Sequence, residues 1–350
     1  MNILQNIKNP APMPEINFLL QVLGKFSNDF RDLINNEKRL NYDLRQNDVD
    51  FNKFCSAMDI VDDILMAMFS YIEHQNDDKG LAYIYMFGLL ESFYLQQNAI
   101  IALGLITYAL CGQKKFNLCT EYPEVEKVRE IRNCIASHPI SNTDNHFINR
   151  HSITLESFDY MVINELNEME FKTANLQNLI KIQAKSLSKA LSDFINLLTK
   201  REQNHRDKFK DQKLFDIFKY CDFAIQRLPT DRSHVLIGST SVHLKILEGA
   251  IQEFIGKLNT RHPVYTESAF FKHEMIHLER AIERLKAYFD SEPSTTNEDA
   301  WIWIDYIQKT IDKLKEWAKE IDNEYSGIKE EQKPQPTGPV TITINGVDFF

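Results

Sequence analysis

Between Leu176 and Leu198 an apolar side chain returns every three or four residues, at Leu176, Ile180, Ala184, Leu187, Leu191, Phe194 and Leu198. That period lines one face of an α-helix and does not suit a strand, whose side chains alternate between two faces. Residues 50–73 repeat it with Phe54, Met58, Val61, Ile64, Leu65 and Met68. The same reading predicts helices over about 15–37, 81–110 and 123 to 137 or 138, then over about 214–227, 242–258, 268–289 and 297–325. Glycine and proline number only 11 each among 350 residues, so little interrupts these stripes. The expected class is all-α.

Two stretches depart from it. Over 140–162, Phe147, Ile148, Ile153, Leu155, Phe158 and Tyr160 are mixed with Asn, Ser and Thr, which predicts a short hairpin or an irregular excursion. Helical character then resumes near Asn164. At the C-terminus KEEQKPQPTGP has linker composition, and VTITINGVDFF alternates Val340, Ile342 and Ile344 with Thr341, Thr343 and Asn345. Asn345-Gly346 is a hairpin turn signal. A lone two-stranded hairpin is marginal in water, so this tail needs a mate: its own chain, another protomer, or a partner protein whose sheet edge it extends. The segment KREQNHRDKFKDQK, 200–213, reads as a solvated helix end and a hinge. The expected division is an N-terminal helical arm (1–49), a helical bundle (50–205), a C-terminal helical region (206–330), and a linker with a β-like tail (331–350).

The net charge of −10 argues against a general nucleic-acid-coating role but leaves room for a local RNA site. Five cysteines with no CxxC spacing read as reduced thiols of a cytoplasmic protein. The start MNILQNIKNPAPMPEI has no basic-then-apolar pattern of a secretory signal. The most apolar stretch, 95–111, carries Gln96, Gln97 and Asn98 and is short for a span, so a buried core helix and no membrane are expected.

Chemistry concentrates in REIRNCIASHP, 129–139, where Arg132 and Asn133 precede His138. Cleaving a phosphodiester without metal needs a base for the attacking 2′-OH and a fixed cation for the charge on the phosphorane. Histidine titrates near neutrality, an arginine fork meets two phosphate oxygens, and an asparagine amide orients either. Six α-helical residues turn by about 600°, which leaves Arg132 and His138 about 120° apart. A two-fold axis pairing two copies of the helix would close that gap, so dimerisation enters the site hypothesis. A helix end that happens to carry these side chains remains the plain structural alternative.

The string RNCIASH, preceded by the apolar GLLESFYLQQNAIIAL and followed by a strand-like HFINRHSITLESF and a long amphipathic helix, resembles the HEPN superfamily of small helical bundles, and within it an uncharacterised bacterial group. The resemblance spans about 50–200. It implies a homodimeric, metal-independent endoribonuclease of a bacterial defence or toxin-antitoxin kind, using no cofactor. In that reading His138 is the base, Arg132 the phosphate stabiliser and Asn133 the orienting residue. Glu91, Gln97 and Asn98 are the supporting polar residues of the preceding helix. Lys114, Lys115, Lys127 and Arg129 are the nearest basic contacts for RNA. Some members are inactive binding modules, so a non-catalytic helical interaction protein is the competing expectation.

One other motif stands out. HEMIH, His273 to His277, matches the HExxH zinc pattern, with His273 and His277 as ligands, Glu274 as base and Glu298 as the one tempting third ligand. The stripe Phe271, Met275, Leu278, Ile282, Leu285 and Phe289 accounts for the same helix as ordinary core packing. A zinc hydrolase is therefore a remote alternative.

Overall fold

A computed structural model describes residues 14–46, 48–73, 78–113, 115–137, 144–228, 239–290, 297–326, 342–344 and 347–349. The chain divides into two compact units, Met1–Glu202 and Gln203–Phe350. The described residues are mostly helical, with one small three-stranded antiparallel sheet and a paired C-terminal ribbon.

In the first unit the helices are α1 (Pro14–Asn36), α2 (Lys38–Arg45), α3 (Asp48–Glu73), α4 (Lys79–Leu110), α5 (Leu118–Glu121), α6 (Glu124–Arg132) and the residues up to Glu202 of α7 (Leu176–Phe209). All seven stripe residues that announced α7 are 0–1% exposed. Two apolar clusters form the core, and Phe30, Phe54, Phe116 and Phe194 link through ring contacts of 5.3–6.0 Å. Gly104 lets α4 approach Phe116, whose ring would stand 2.3 Å from any Cβ placed there.

Residues 14–45, expected as a separate arm, give Ile16, Leu20, Leu23, Phe30, Leu40 and Leu44 to these same clusters. Arg39 adds a bidentate pair to Glu202 (2.9 and 2.6 Å), and Arg201 binds Asp43. Over 200–213, read as a solvated helix end, most side chains are exposed and the helix stops. Helix α7 continues to Phe209, with Glu202 and Phe209 both buried.

The excursion after the motif is a sheet, not a hairpin. Its strands are β1 (Asp144–Ile148), β2 (Ser157–Asn164) and β3 (Met169–Asn175), in the order β1-β2-β3. Helix does not resume at Asn164, because that side chain makes a turn: its Oδ1 accepts from the N–H groups of Leu166 and Glu168, each at 3.0 Å. Asn167 takes the left-handed conformation (φ 59°), which asparagine tolerates well. The chain reverses, and β3 pairs with β2, Tyr160 opposite Lys172 and Phe158 opposite Ala174. The face bearing Phe158, Tyr160 and Ala174 is buried against the bundle, while Phe147 and Phe171 on the other face are exposed.

The second unit contains α8 (Cys221–Gln226), α9 (Ser239–Arg261), α10 (Pro263–Glu267), α11 (Ala269–Asp290) and α12 (Asn297–Ser326) around one apolar cluster. The single helix expected over 214–227 is broken into a 3₁₀ turn, Phe215–Phe218, followed by α8. The Asp322 carboxylate accepts from the N–H groups of Leu214 and Phe215, each at 3.0 Å, and so fixes where that turn begins. In the tail β4 (Ile342–Ile344) pairs antiparallel with β5 (Val347–Phe349), and the expected turn residues Asn345 and Gly346 lie outside the described residues.

Candidate functional site

Helix α6 buries Val125 and Val128, which turns Arg129 and Arg132 towards α4. From α4, Glu91, Tyr94 and Asn98 answer at spacings of three and four residues, the spacing that aligns side chains on one helical face. Arg132 donates from Nε and Nη2 to the two Glu91 oxygens, at 3.2 and 2.8 Å, and from Nη1 to Asn133 Oδ1 at 3.1 Å. Its guanidinium lies 3.9 Å from the centre of the Tyr94 ring, close enough for a cation–π contact. Arg129 reaches Asn98 at 3.4 Å and stands 5.5 Å from the same ring. Since Glu91 meets the later arginine and Asn98 the earlier one, the two helices run antiparallel here.

Arg132 is mostly covered and Glu91 less so, at 12% and 43% side-chain exposure, so the cluster opens to solvent on the Glu91 side. The hydrogen bond from the Asn98 amide, followed by the charges of Arg132 and Arg129, holds the Tyr94 phenol below the ordinary tyrosine value. Tyr94 was not singled out from the sequence, although its position between Glu91 and Asn98 was a readable signal.

No protein-family model, curated protein or solved structure matches this chain. The site therefore rests on its own geometry.

After Arg132 the α-helix gives way to a π-turn, Asn133–Ser137. The 120° separation drawn from the sequence assumed α geometry, and wider i→i+5 bonding replaces it over these residues. His138 lies outside the described residues, as does Lys114.

Gln97 does not face the motif. It is fully buried and donates to Gln183 Oε1 at 2.9 Å, while Gln183 donates to Phe93 O and Gln96 Oε1, each at 3.1 Å. A position three residues beyond Tyr94 but one short of Asn98 falls on the core edge of that helix. Lys127 pairs with Glu124 at 2.7 Å on the exposed surface, and Lys115 is exposed in the α4–α5 connection, so neither joins the arginine cluster.

Behind the π-turn a cavity of 590 Å³ separates α6 from the inner face of the sheet. Glu130, Asp144, Glu168 and Glu170 line it, with Lys172 as its one lysine, and Lys172 is tied to Glu170 at 2.8 Å. A phosphate is repelled from that side.

His273 and His277 bring their Nε2 atoms within 3.0 Å on α11, but Glu274 is ion-paired to Lys313 at 3.1 Å. The Glu298 side chain lies outside the described residues, and among the described ones no three His, Cys, Asp or Glu converge as a metal would require. Phe271, Met275, Leu278, Ile282 and Leu285 from the same helix are buried.

Proposed function

We propose that this chain is a HEPN-type, metal-independent endoribonuclease of a bacterial defence or toxin-antitoxin class, acting at a site shared by two copies. The observation that carries the reading is the Arg132 cluster, a guanidinium stacked on Tyr94 and fixed by Glu91 and Asn133 beside an opening to solvent. Three of the five N–H donors of a guanidinium are engaged there, and the rest are held ready for a phosphorane without reorganisation. His138 takes the proton of the ribose 2′-OH, the 2′-oxygen attacks phosphorus, and the 5′-oxygen leaves. The products are a 2′,3′-cyclic phosphate and a 5′-hydroxyl. Glu91 cancels the charge of Arg132, so Arg129 supplies the net positive charge that draws the backbone in. RNA approaches from the α4 side, because the cavity behind the π-turn is acidic.

The outer face of α4 supports the two-copy arrangement. Ile84, Gly88, Glu91, Leu95, Asn98, Ala102 and Leu105 follow one another at alternating steps of four and three, the repeat of helices that pack side by side. Ile84, Leu95 and Leu105 are 66%, 48% and 41% exposed. Half of the most apolar window of this helix is buried within the unit, although Gly80–Leu110 is long and apolar enough to cross a membrane by length and composition. A second copy covering the rest would set two Arg132 clusters beside one axis, since Glu91 and Asn98 belong to the same stripe.

A second reading has its own observation. Glu91 occupies two nitrogens of Arg132, a pairing that would also clamp α4 to α6 in a non-catalytic interaction module. RNA incubated with the purified protein in excess chelator separates the two. Cleavage leaving 2′,3′-cyclic phosphate ends, lost in Arg132→Ala and His138→Ala at unchanged oligomeric state, is expected. Intact RNA, with both variants unfolding, favours the clamp.

A further inference from the structure

Ser268 precedes α11 and caps it. Its Oγ accepts from the Phe271 N–H at 3.2 Å and donates to the Tyr265 carbonyl at 2.9 Å. The cap sets two phenylalanines in the first turn, about 100° apart around the helix. Phe271 turns into the core at 4% exposure, and Phe270 stays 55% exposed. Trp317 of α12 meets both rings, at 5.7 and 6.1 Å between centroids. With Tyr265, Ser268, Glu320 and Ile321, these three aromatic side chains line a cavity of 260 Å³ in the second unit.

We propose that this cavity binds a quaternary methylammonium headgroup. The face of an aromatic ring is the negative end of its quadrupole, so rings gathered around a cavity attract a cation with an apolar surface. Two of these rings already meet a cation outside the cavity. The Lys313 ammonium stands 4.3 Å from the Phe270 centroid and 5.5 Å from that of Trp317. Lys313 is not among the lining residues, and Glu274 matches its charge at 3.1 Å.

Glu320 is the one carboxylate of the lining, and it has no hydrogen bond or ion pair among the described residues. The cavity therefore keeps an uncompensated negative charge beside its rings. Acceptors are few. The Ser268 hydroxyl is engaged as donor and acceptor, which leaves the lining side chains the Glu320 carboxylate and the Tyr265 phenol. A primary ammonium would bring three N–H donors to them, whereas a quaternary one brings none. The volume of 260 Å³ lies below the roughly 300–1,000 Å³ of cavities that enclose drug-sized ligands, which suits a headgroup.

The experiment titrates the full chain with three small alcohols: choline, ethanolamine, and the neutral isostere of choline with a tert-butyl group in place of trimethylammonium. Ligand-observed NMR reads each affinity through the upfield shift that ring faces impose on bound protons. Choline is expected to bind in the millimolar range or tighter, and each of the other two roughly ten-fold more weakly. Glu320→Gln and Phe270→Leu, both at exposed side chains, are expected to weaken choline by about two- to five-fold each with melting curves unchanged. Equal affinity for the carbon isostere makes the cavity an apolar groove and overturns the proposal. Equal affinity for ethanolamine overturns the quaternary class. A trimethyl-lysine peptide, run beside choline, separates a protein-borne headgroup from a free one, and tighter binding of either supports the site. Binding of neither, or binding that both variants retain in full, overturns it. Should Phe270→Leu unfold the unit, Glu320→Gln decides.

Discussion

Arg132 in the first unit and Arg261 in the second each stack on a tyrosine, Tyr94 and Tyr325, at 3.9 Å, and each meets a carboxylate, Glu91 and Asp322, at 2.8 Å. What surrounds them differs. Arg261 is 2% exposed and also donates to the carbonyls of Gln212 and Ile321, at 3.0 and 3.1 Å. Asp322 in turn accepts two backbone N–H groups, so that cluster is closed by protein on every side. Around Arg132 the carboxylate is half exposed, and no backbone group joins Glu91 and Asn133 in holding the guanidinium. The same stacked pair is sealed where backbone groups surround it and open where solvent does.

The largest expected effect falls on the closed cluster. Asp322→Ala leaves Arg261 charged and unpaired in the interior and frees two N–H groups, for a loss of about 3–5 kcal/mol. Hydrogen exchange of the second unit in denaturant reads it, and unchanged protection there would remove the contrast. Arg132→Ala is expected to lower RNA cleavage by on the order of 10²–10³-fold. Its melting temperature moves by no more than about 4 °C, because a partly exposed pair contributes little.

Leu95→Lys, on the open stripe of α4, is expected to yield monomers by light scattering and to abolish cleavage without unfolding the unit. A stable dimer would move the interface elsewhere. Gln97→Leu leaves the buried Gln183 Oε1 without its donor, at a cost of about 1–3 kcal/mol, with cleavage per folded molecule unchanged. Loss of cleavage alone would return Gln97 to the site. Replacing His273 and His277 together by alanine is expected to shift stability by less than about 0.5 kcal/mol, as for exposed side chains in general, and to leave cleavage unaltered.

The helices were legible because burial on one face leaves a three-to-four-residue period, which α7 follows throughout and α11 follows to Leu285, where Tyr288 rather than Phe289 is the next buried residue. The third strand was not. MEFKTAN has neither a strong apolar alternation nor a glycine turn before it, and its reversal depends on the Asn164 side chain bonding two backbone amides. The break at Leu214 is likewise made by Asp322, a residue distant in sequence. In the candidate site, the placement of Glu91 and Asn98 near the motif was read correctly from the polar residues of an apolar helix, while Gln97 was misassigned by a single residue of rotation. The π-turn escaped too, since the chain carries no mark that distinguishes i→i+5 from i→i+4 bonding at Asn133.

The proposed function depends on whether the open arginine cluster does chemistry. The most direct measurement is single-turnover cleavage of RNA in excess chelator by the wild type and Arg132→Ala, with the melting curve of each recorded on the same samples. The expected result is 2′,3′-cyclic phosphate ends from the wild type, and a variant that melts with it but scarcely cuts. RNA left whole by a folded wild type, or cut equally by both proteins, would contradict it.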